Sequence, residues 1–252
     1  MRIEAPVQAQ IPQLLSLWKA AFGEHDGFWE LFLVTAFSPE HCRCVLEEDT
    51  VTAALCWMDT ECGGQKMAYI YAVVTAPAHR GQGLCRTLLA DTHDYLGTQG
   101  YGAVLLVPAE EGLRKMYRKL GYETCTTVRE FSCEASPGQV SLWAIGPDAY
   151  GKLRRAMLPE AGVLQEGRSL DFLGQQAQFY WGGGFLMAAY TEGDTFHAME
   201  LLGDDTAAPA ITEALGCARG VFRTPGEGRP FAMWYPLRKD AVLPGYFGFA
   251  FD

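Results

Sequence analysis

Between Gln65 and Leu89 an extended, β-rich run gives way to a glycine turn and then at once to a helix. Gln65 to Thr75 carries Tyr69, Ile70, Tyr71, Val73 and Val74, which favour extended backbone. Pro77 ends that strand. Arg80 to Cys85 reads RGQGLC, and Leu84, Leu88, Leu89, Tyr95 and Leu96 follow at near-helical spacing as far as Gly97 and Gly100. A strand that stops, glycines, and a helix that starts together aim backbone amides at an anion. Gly81 and Gly83 let the chain approach a ligand without a Cβ in the way. The amides of about 82 to 86 open a helix and lack intrahelical acceptors. The helix dipole adds roughly half a positive charge there, and Arg80 and Arg86 flank the turn. Two common phosphate motifs are excluded. Residue 86 is Arg, so GxGxxG is absent, and no Gly-Lys-Ser/Thr ending follows.

The surrounding pattern is mixed. Arg2 to Val7 reads as a strand. Ile11 to Phe22 is an amphipathic helix with Pro12 in its first turn and Gly23 as its stop. Phe28 to Phe37 is a second, apolar helix. His41 to Leu46 and Val51 to Met58 read as strands. After the glycine-turn helix, Gly102 to Val107 is a short apolar strand, buried on both faces. Leu113, Met116, Tyr117 and Leu120 mark one face of a helix that Gly121 caps. Tyr122 to Glu134 is extended. The order predicts an α/β fold on a mixed sheet.

Ser136, Pro137 and Gly138 suggest a division into residues 1–136 and 137–252. Beyond it, Asp148 to Met157 and Leu170 to Trp181 read as helices. Phe185 to Tyr190 and Thr195 to Leu202 read as strands, Pro209 to Cys217 as a helix, and Val221 to Arg223 and Pro230 to Tyr235 as extended. The same element series runs through both halves, which predicts a degenerate internal repeat. Where the first half has RGQGLC, the second has GDDT at Gly203 to Thr206. Two carboxylates there repel a pyrophosphate, so only the first copy is expected to bind a nucleotide.

Composition narrows the function. The chain has 252 residues and a formal net charge of −10, with no Lys/Arg cluster. Phosphate-backbone binding needs such clusters, so nucleic acid is not an expected partner. No apolar run reaches the ~18 residues of a membrane span, and the N-terminus lacks a secretory core. We expect a cytoplasmic protein with reduced thiols. The eight cysteines form no CxxC pair. His41, Cys42 and Cys44 have no second ligand pair at zinc spacing, so no metal is expected.

The stretch YIYAVVTAPAHRGQGLCRTLL, Tyr69 to Leu89, together with KMYRKLGY at Lys115 to Tyr122, resembles the GNAT acetyltransferase superfamily over residues 1 to about 135. That resemblance implies a GNAT fold followed by a degenerate GNAT-like half. The tandem plan is similar to the enhanced-intracellular-survival type, whose additional sterol-carrier-like domain this length does not accommodate. By the same resemblance, acetyl-CoA is the acyl donor. Ala72, Val73, Val74 and Thr75 would face its pantetheine arm, and Arg80, Gly81, Gln82, Gly83, Leu84, Cys85 and Arg86 would hold its pyrophosphate. Tyr117 would be the acid that protonates the leaving thiolate. Cys85 stands where the family has Gly or Ala. Val107–Glu110 lacks the Asn the family often has after its fifth strand. The acceptor would be a primary amine on a small molecule or peptide. Candidate bases are the Glu24–Asp26 cluster, Glu110, Glu111 and the carboxylate of Asp252, delivered by the apolar run Tyr246 to Asp252. Phe28, Trp29, Phe32, Trp57 and Trp181 are candidate acceptor-pocket residues, each also a reasonable core residue. A non-catalytic acyl-CoA-binding module is the alternative reading.

Overall fold

A computed structural model describes residues 1–23 and 27–250. The first half runs β1 (Arg2–Glu4), α1 (Ile11–Phe22), α2 (Phe28–Thr35), β2 (Cys42–Glu47), β3 (Thr50–Cys62), β4 (Gln65–Thr75), α3 (Leu84–Thr98), β5 (Ala103–Leu106), α4 (Glu111–Lys119), β6 (Glu123–Thr124) and β7 (Thr127–Glu134). The second runs β8 (Leu142–Ile145), α5 (Pro147–Met157), β9 (Leu164–Gln165), α6 (Arg168–Gln176), β10 (Gln178–Gly182), β11 (Phe185–Glu192), β12 (Thr195–Gly203), α7 (Ala208–Ala214), β13 (Arg219–Pro225), β14 (Arg229–Pro230) and β15 (Met233–Pro236).

Two mixed sheets result. The first has the order β1-β2-β3-β4-β5-β15-β6, with β9 added to the far end of β3. The second has the order β14-β7-β13-β12-β11-β10-β8. Each contains one parallel step, β4 with β5 and β12 with β13. The two orders superpose if β8 stands for β1, β10–β13 for β2–β5, and β14 for β6.

The halves exchange their last strands. β7 pairs antiparallel with β13 of the second sheet, and β15 pairs antiparallel with β5 of the first. A cut at Ser136 therefore separates both β7 and β15 from the sheets they pair into. The sequence reading of Tyr122 to Glu134 as a local extension misses this, because strand pairing across a hundred residues leaves no local signal.

Two further corrections concern the second half. The predicted helix Leu170 to Trp181 ends at Gln176, and Gln178 to Trp181 is strand β10. Phe179, Tyr180 and Trp181 favour extended backbone once the chain reaches the sheet. Strand β8 was not foreseen. It is a four-residue edge strand whose side chains are only partly covered, so no burial alternation marks it.

The first sheet is covered on one face by α3, through Leu88, Leu89, Leu96, Leu55, Trp57 and Val104. On its other face, α1 and α2 bury Trp18, Trp29 and Phe32. The core between the halves joins Tyr69 and Leu105 to Leu173, Phe179 and Leu186. Phe172 of α6 meets Phe28 and Phe32 of α2, with ring centroids 5.3 and 5.5 Å away. Among the described residues no helix is long and apolar enough to cross a membrane.

Candidate active site in the fork of the first sheet

Strand β4 pairs with β5 only from Met67 to Tyr69, against Ala103 to Leu105. Beyond that point the strands part. The reason lies on the other side of β4. Ala54 pairs with Val74 but Cys56 pairs with Tyr71, so three steps on β4 face two on β3. This bulge contains Ala72, at φ 54°. Left-handed backbone at a non-glycine residue is uncommon and costs on the order of 1–2 kcal/mol. The bulge turns β4 away from β5 and opens a fork.

A cavity of about 520 Å³ fills the fork. Ala72 and Val73 line one wall, and Leu106 to Ala109 line another. Tyr117 reaches it from α4. The Tyr117 side chain is buried, packs edge-on to Tyr122 at 5.5 Å, and has no hydrogen-bond partner among the described residues. Burial holds its hydroxyl well above the ordinary phenol range, so it stays protonated. Beneath it, Tyr122 Oη lies 2.7 Å from His93 Nε2, and His93 stacks on Tyr235 of the exchanged strand at 4.2 Å.

At the end of β4 the chain passes a short turn, Pro77 to His79, and reaches the glycines. Gly81 and Gly83 both adopt left-handed backbone, at φ 78° and 80°. A Cβ at either would meet nothing within 4 Å, so conformation, not crowding, calls for glycine. The amides of residues 81 to 86 have no protein acceptor among the described residues, and the first helical bond to the turn is Thr87 N–H to Gly83 O, at 3.1 Å. Arg80 and Arg86 are exposed beside these donors, and Arg80 Nε donates to Thr75 O at 3.3 Å. Six consecutive open donors beside two guanidinium groups form an anion cradle that a diphosphate fits. Thr75 and Val74 connect the cradle to the fork.

Residues 2–125 match the acetyltransferase (GNAT) domain family. This chain carries a GNAT acetyltransferase domain. Among solved structures, a GCN5-related N-acetyltransferase from Kribbella flavida matches 94% of the chain and 72% of its own, at 19% identity and a TM-score of 0.71. A GCN5-related N-acetyltransferase from Anabaena variabilis gives the same coverage of this chain and 73% of its own, at 16% identity and 0.75. Eis1 from Mycobacterium abscessus matches 94% of the chain and 74% of its own, at 10% identity and 0.72. At these identities the likeness speaks for the fold, and it extends through both halves. No curated protein matches in sequence. The chain is thus a tandem GNAT arrangement, as the order of elements implied.

Around the fork, the remaining candidates separate. Phe28 and Trp29 line the cavity, whereas Phe32 and Trp57 are buried core and Trp181 is exposed, stacked on Trp143 at 5.0 Å. Glu110 and Glu111 are exposed, and Glu111 lies 3.6 Å from Arg114 one turn along α4. Glu24, His25, Asp26 and Asp252 lie outside the described residues. Tyr246, Phe247, Phe249 and Ala250 are buried, with Phe247 5.0 Å from Tyr69 of β4. Cys85 is half-buried and its thiol is pushed up by burial, which removes the acidity a helix start would otherwise give it. Cys42 and Cys44 are buried in β2 with sulfurs 3.9 Å apart. Among the cavity residues that sequence reasoning missed are Leu173 and Gln176 of α6, Tyr190 of β11 and Met199 of β12. All come from the second half, and no local motif announces them.

Proposed function

We propose that the protein is an N-acyltransferase that moves an acetyl group from acetyl-CoA to a primary amine by direct attack on the thioester. The observation that carries this reading is the run of open amides at residues 81 to 86, set at the mouth of a fork into which Tyr117 points. The diphosphate sits on amides 81 to 86 and pairs with Arg80 and Arg86. The turn residues Gly81, Gln82, Gly83, Leu84 and Cys85 form the floor of that cradle. The pantetheine arm runs along Ala72, Val73, Val74 and Thr75, and the thioester lies in the fork.

The chemistry then follows from the site. The amine nitrogen, in its neutral form, adds to the thioester carbon. Backbone amides near Val74 steady the oxygen as it gains charge. The C–S bond breaks, its electron pair goes to sulfur, and the Tyr117 hydroxyl gives sulfur its proton. The proton shed by the new amide nitrogen restores the tyrosine. A raised tyrosine pKa suits this role. It keeps the acid loaded, while the same apolar surroundings raise the basicity of the departing thiolate. The catalytic unit is proposed to lie within residues 1–136, completed by β15 and by the cavity residues of the second half.

The experiment is a split between turnover and binding. Tyr117→Phe is expected to lower the rate of free-thiol release about a hundredfold while CoA affinity stays within about twofold. Loss of both together would return Tyr117 to packing. Tight CoA binding with no thiol release from any amine would favour the alternative, an acyl-CoA-binding module without catalysis.

A further inference from the structure

The edges of the two sheets are not alike. A terminal strand leaves a row of backbone N–H and C=O groups open, and a charged side chain or a proline on it discourages another chain from pairing there. The first sheet ends on β1 and β6, the second on β14 and β8. Strand β1 carries Arg2 and Glu4, β6 carries Glu123, and β14 is Arg229–Pro230. Strand β8 reads Leu-Trp-Ala-Ile and has none of these devices. The tandem repeat makes this a controlled contrast, because β8 takes the place in the second sheet that β1 takes in the first.

The surroundings of β8 are neutral as well. Residues 135–147 contain no Asp, Glu, Lys, Arg or His, and neither do residues 172–191, which include its partner β10. Trp143 and Trp181 are direct cross-strand partners, and their rings stack at 5.0 Å. Trp143 is nevertheless 49% exposed and Trp181 39%, whereas Trp18, Trp29 and Trp57 are buried. An undefended edge and an open pair of large aromatic rings thus coincide on one uncharged strip.

We propose that the open edge of β8 pairs antiparallel with β8 of a second copy of this chain, about a two-fold axis at Trp143. Leu142 of each copy then lies against Ala144 of the other. The strands β11, β10 and β8 are already antiparallel to one another, so the new pair continues the run across the axis. Cross-strand neighbours share a sheet face, so Trp181, Trp143 and their two counterparts form one aromatic ladder. An isologous contact needs only a self-complementary patch, and a neutral strip is complementary to itself. Charge selects this partner. With a formal net charge of −10, two copies repel wherever their carboxylates meet, and the strip is where they approach without that repulsion. A charged segment of another protein finds no countercharge on it. The first charge beyond the strand, Asp148, falls in this register opposite Gly138 and not opposite its own copy. The proposal does not depend on the acyltransferase reading.

A short edge and two rings from each copy make a small interface, so the dimer is a weak one. The test is sedimentation velocity on the full-length protein between about 1 and about 300 µM, with half of the chains expected to be paired at about 30 µM. Trp143→Lys changes an exposed side chain and sets two like charges face to face across the axis. It is expected to weaken pairing at least about tenfold. Leu243→Lys makes the same change at another exposed apolar residue and is expected to leave pairing unchanged. Circular dichroism checks that both variants are folded. Hydrogen exchange on the unsubstituted chain gives a second readout. On raising the concentration, exchange should slow at residues 142–145 and stay unchanged at β1, β6 and β14. A monomer throughout the range overturns the proposal, whether or not a strand of another protein proves to bind β8. So does a dimer that Trp143→Lys leaves intact, or one whose protection lies at a different edge.

Discussion

The two forks of this molecule share a backbone and differ in what stands at their mouths. In both sheets a bulge on the fourth strand precedes the parting from the fifth. On β4 it contains Ala72. On β12 it contains Met199, where Ala188 pairs with Glu200 but Ala189 with Ala198. Past the first bulge lies a turn with open amides. Past the second lies Gly203–Thr206, where Asp204 accepts from Thr206 N–H at 3.0 Å and from Thr206 Oγ1 at 2.6 Å. Asp205 is paired with Arg129. The second turn thus satisfies itself with the carboxylates that would repel a diphosphate. Its cavity is about 100 Å³, against about 520 Å³ in the first. The second half has no helix between β13 and β14, so nothing stands in the place of Tyr117. Instead, Glu200 beside the second bulge is fully buried. It accepts from Arg154 Nε at 2.6 Å and from Tyr150 Oη at 2.7 Å. The first fork holds a large cavity, and beside the second bulge stands a fully buried ion pair. The second half also contributes Leu173, Gln176, Tyr190 and Met199 to the walls of the first cavity.

Breaking this buried pair should have the largest effect. Glu200→Ala leaves the Arg154 guanidinium buried without its carboxylate and is expected to cost about 3–5 kcal/mol. Denaturant unfolding measures it, and a change below about 1 kcal/mol would show that the pair is incidental. Next is acid. His93, on α3, stacks against Tyr235 of the exchanged strand β15, and burial lowers its pKa to about 4 from the ordinary 6.5. Only the unfolded chain takes the proton between those values. Stability should therefore be unaffected by this group above pH 6.5, fall as pH drops toward 4, and level off below, by about 3 kcal/mol in all. His93→Gln should flatten that slope in a pH series of melts.

The open turn can also be made to imitate the closed one. Gly81→Asp with Gln82→Asp brings two carboxylates to the cradle and bends residue 81 away from its left-handed backbone. CoA affinity should fall about a hundredfold, read by calorimetry, with the fold retained by circular dichroism. The smallest effect concerns the bulges themselves. Ala72→Gly relieves a positive φ and should stabilise by about 0.5–1 kcal/mol. Met199→Gly, at a bulge without positive φ, should destabilise, and equal shifts at the two sites would deny that only one bulge is strained.

Much of the first fork was legible in sequence because its elements are local. A strand, RGQGLC and a helix lie within some twenty residues, and the Tyr117 helix follows soon after. The two carboxylates of the GDDT segment were likewise legible, and the structure pairs them with Thr206 and Arg129. Three features were not legible. The exchange of β7 and β15 depends on pairing between residues a hundred apart. Strand β10 follows α6 after the single residue Ala177, with no proline to mark the boundary. The cavity walls gather Leu173, Gln176, Tyr190 and Met199 from three elements, and each alone resembles ordinary core. The aromatic candidates illustrate the limit. Phe28 and Trp29 face the cavity and Phe32 faces the core, yet all three belong to one helix turn and a half.

The most direct measurement is hydrogen exchange across residues 79–88 and 203–208, with and without CoA. The account predicts fast exchange at amides 81 to 86 in the free protein, strong protection on adding CoA, and no change at 204 to 206. CoA binding that leaves 81 to 86 unprotected, or protection that appears instead at the GDDT turn, would contradict it.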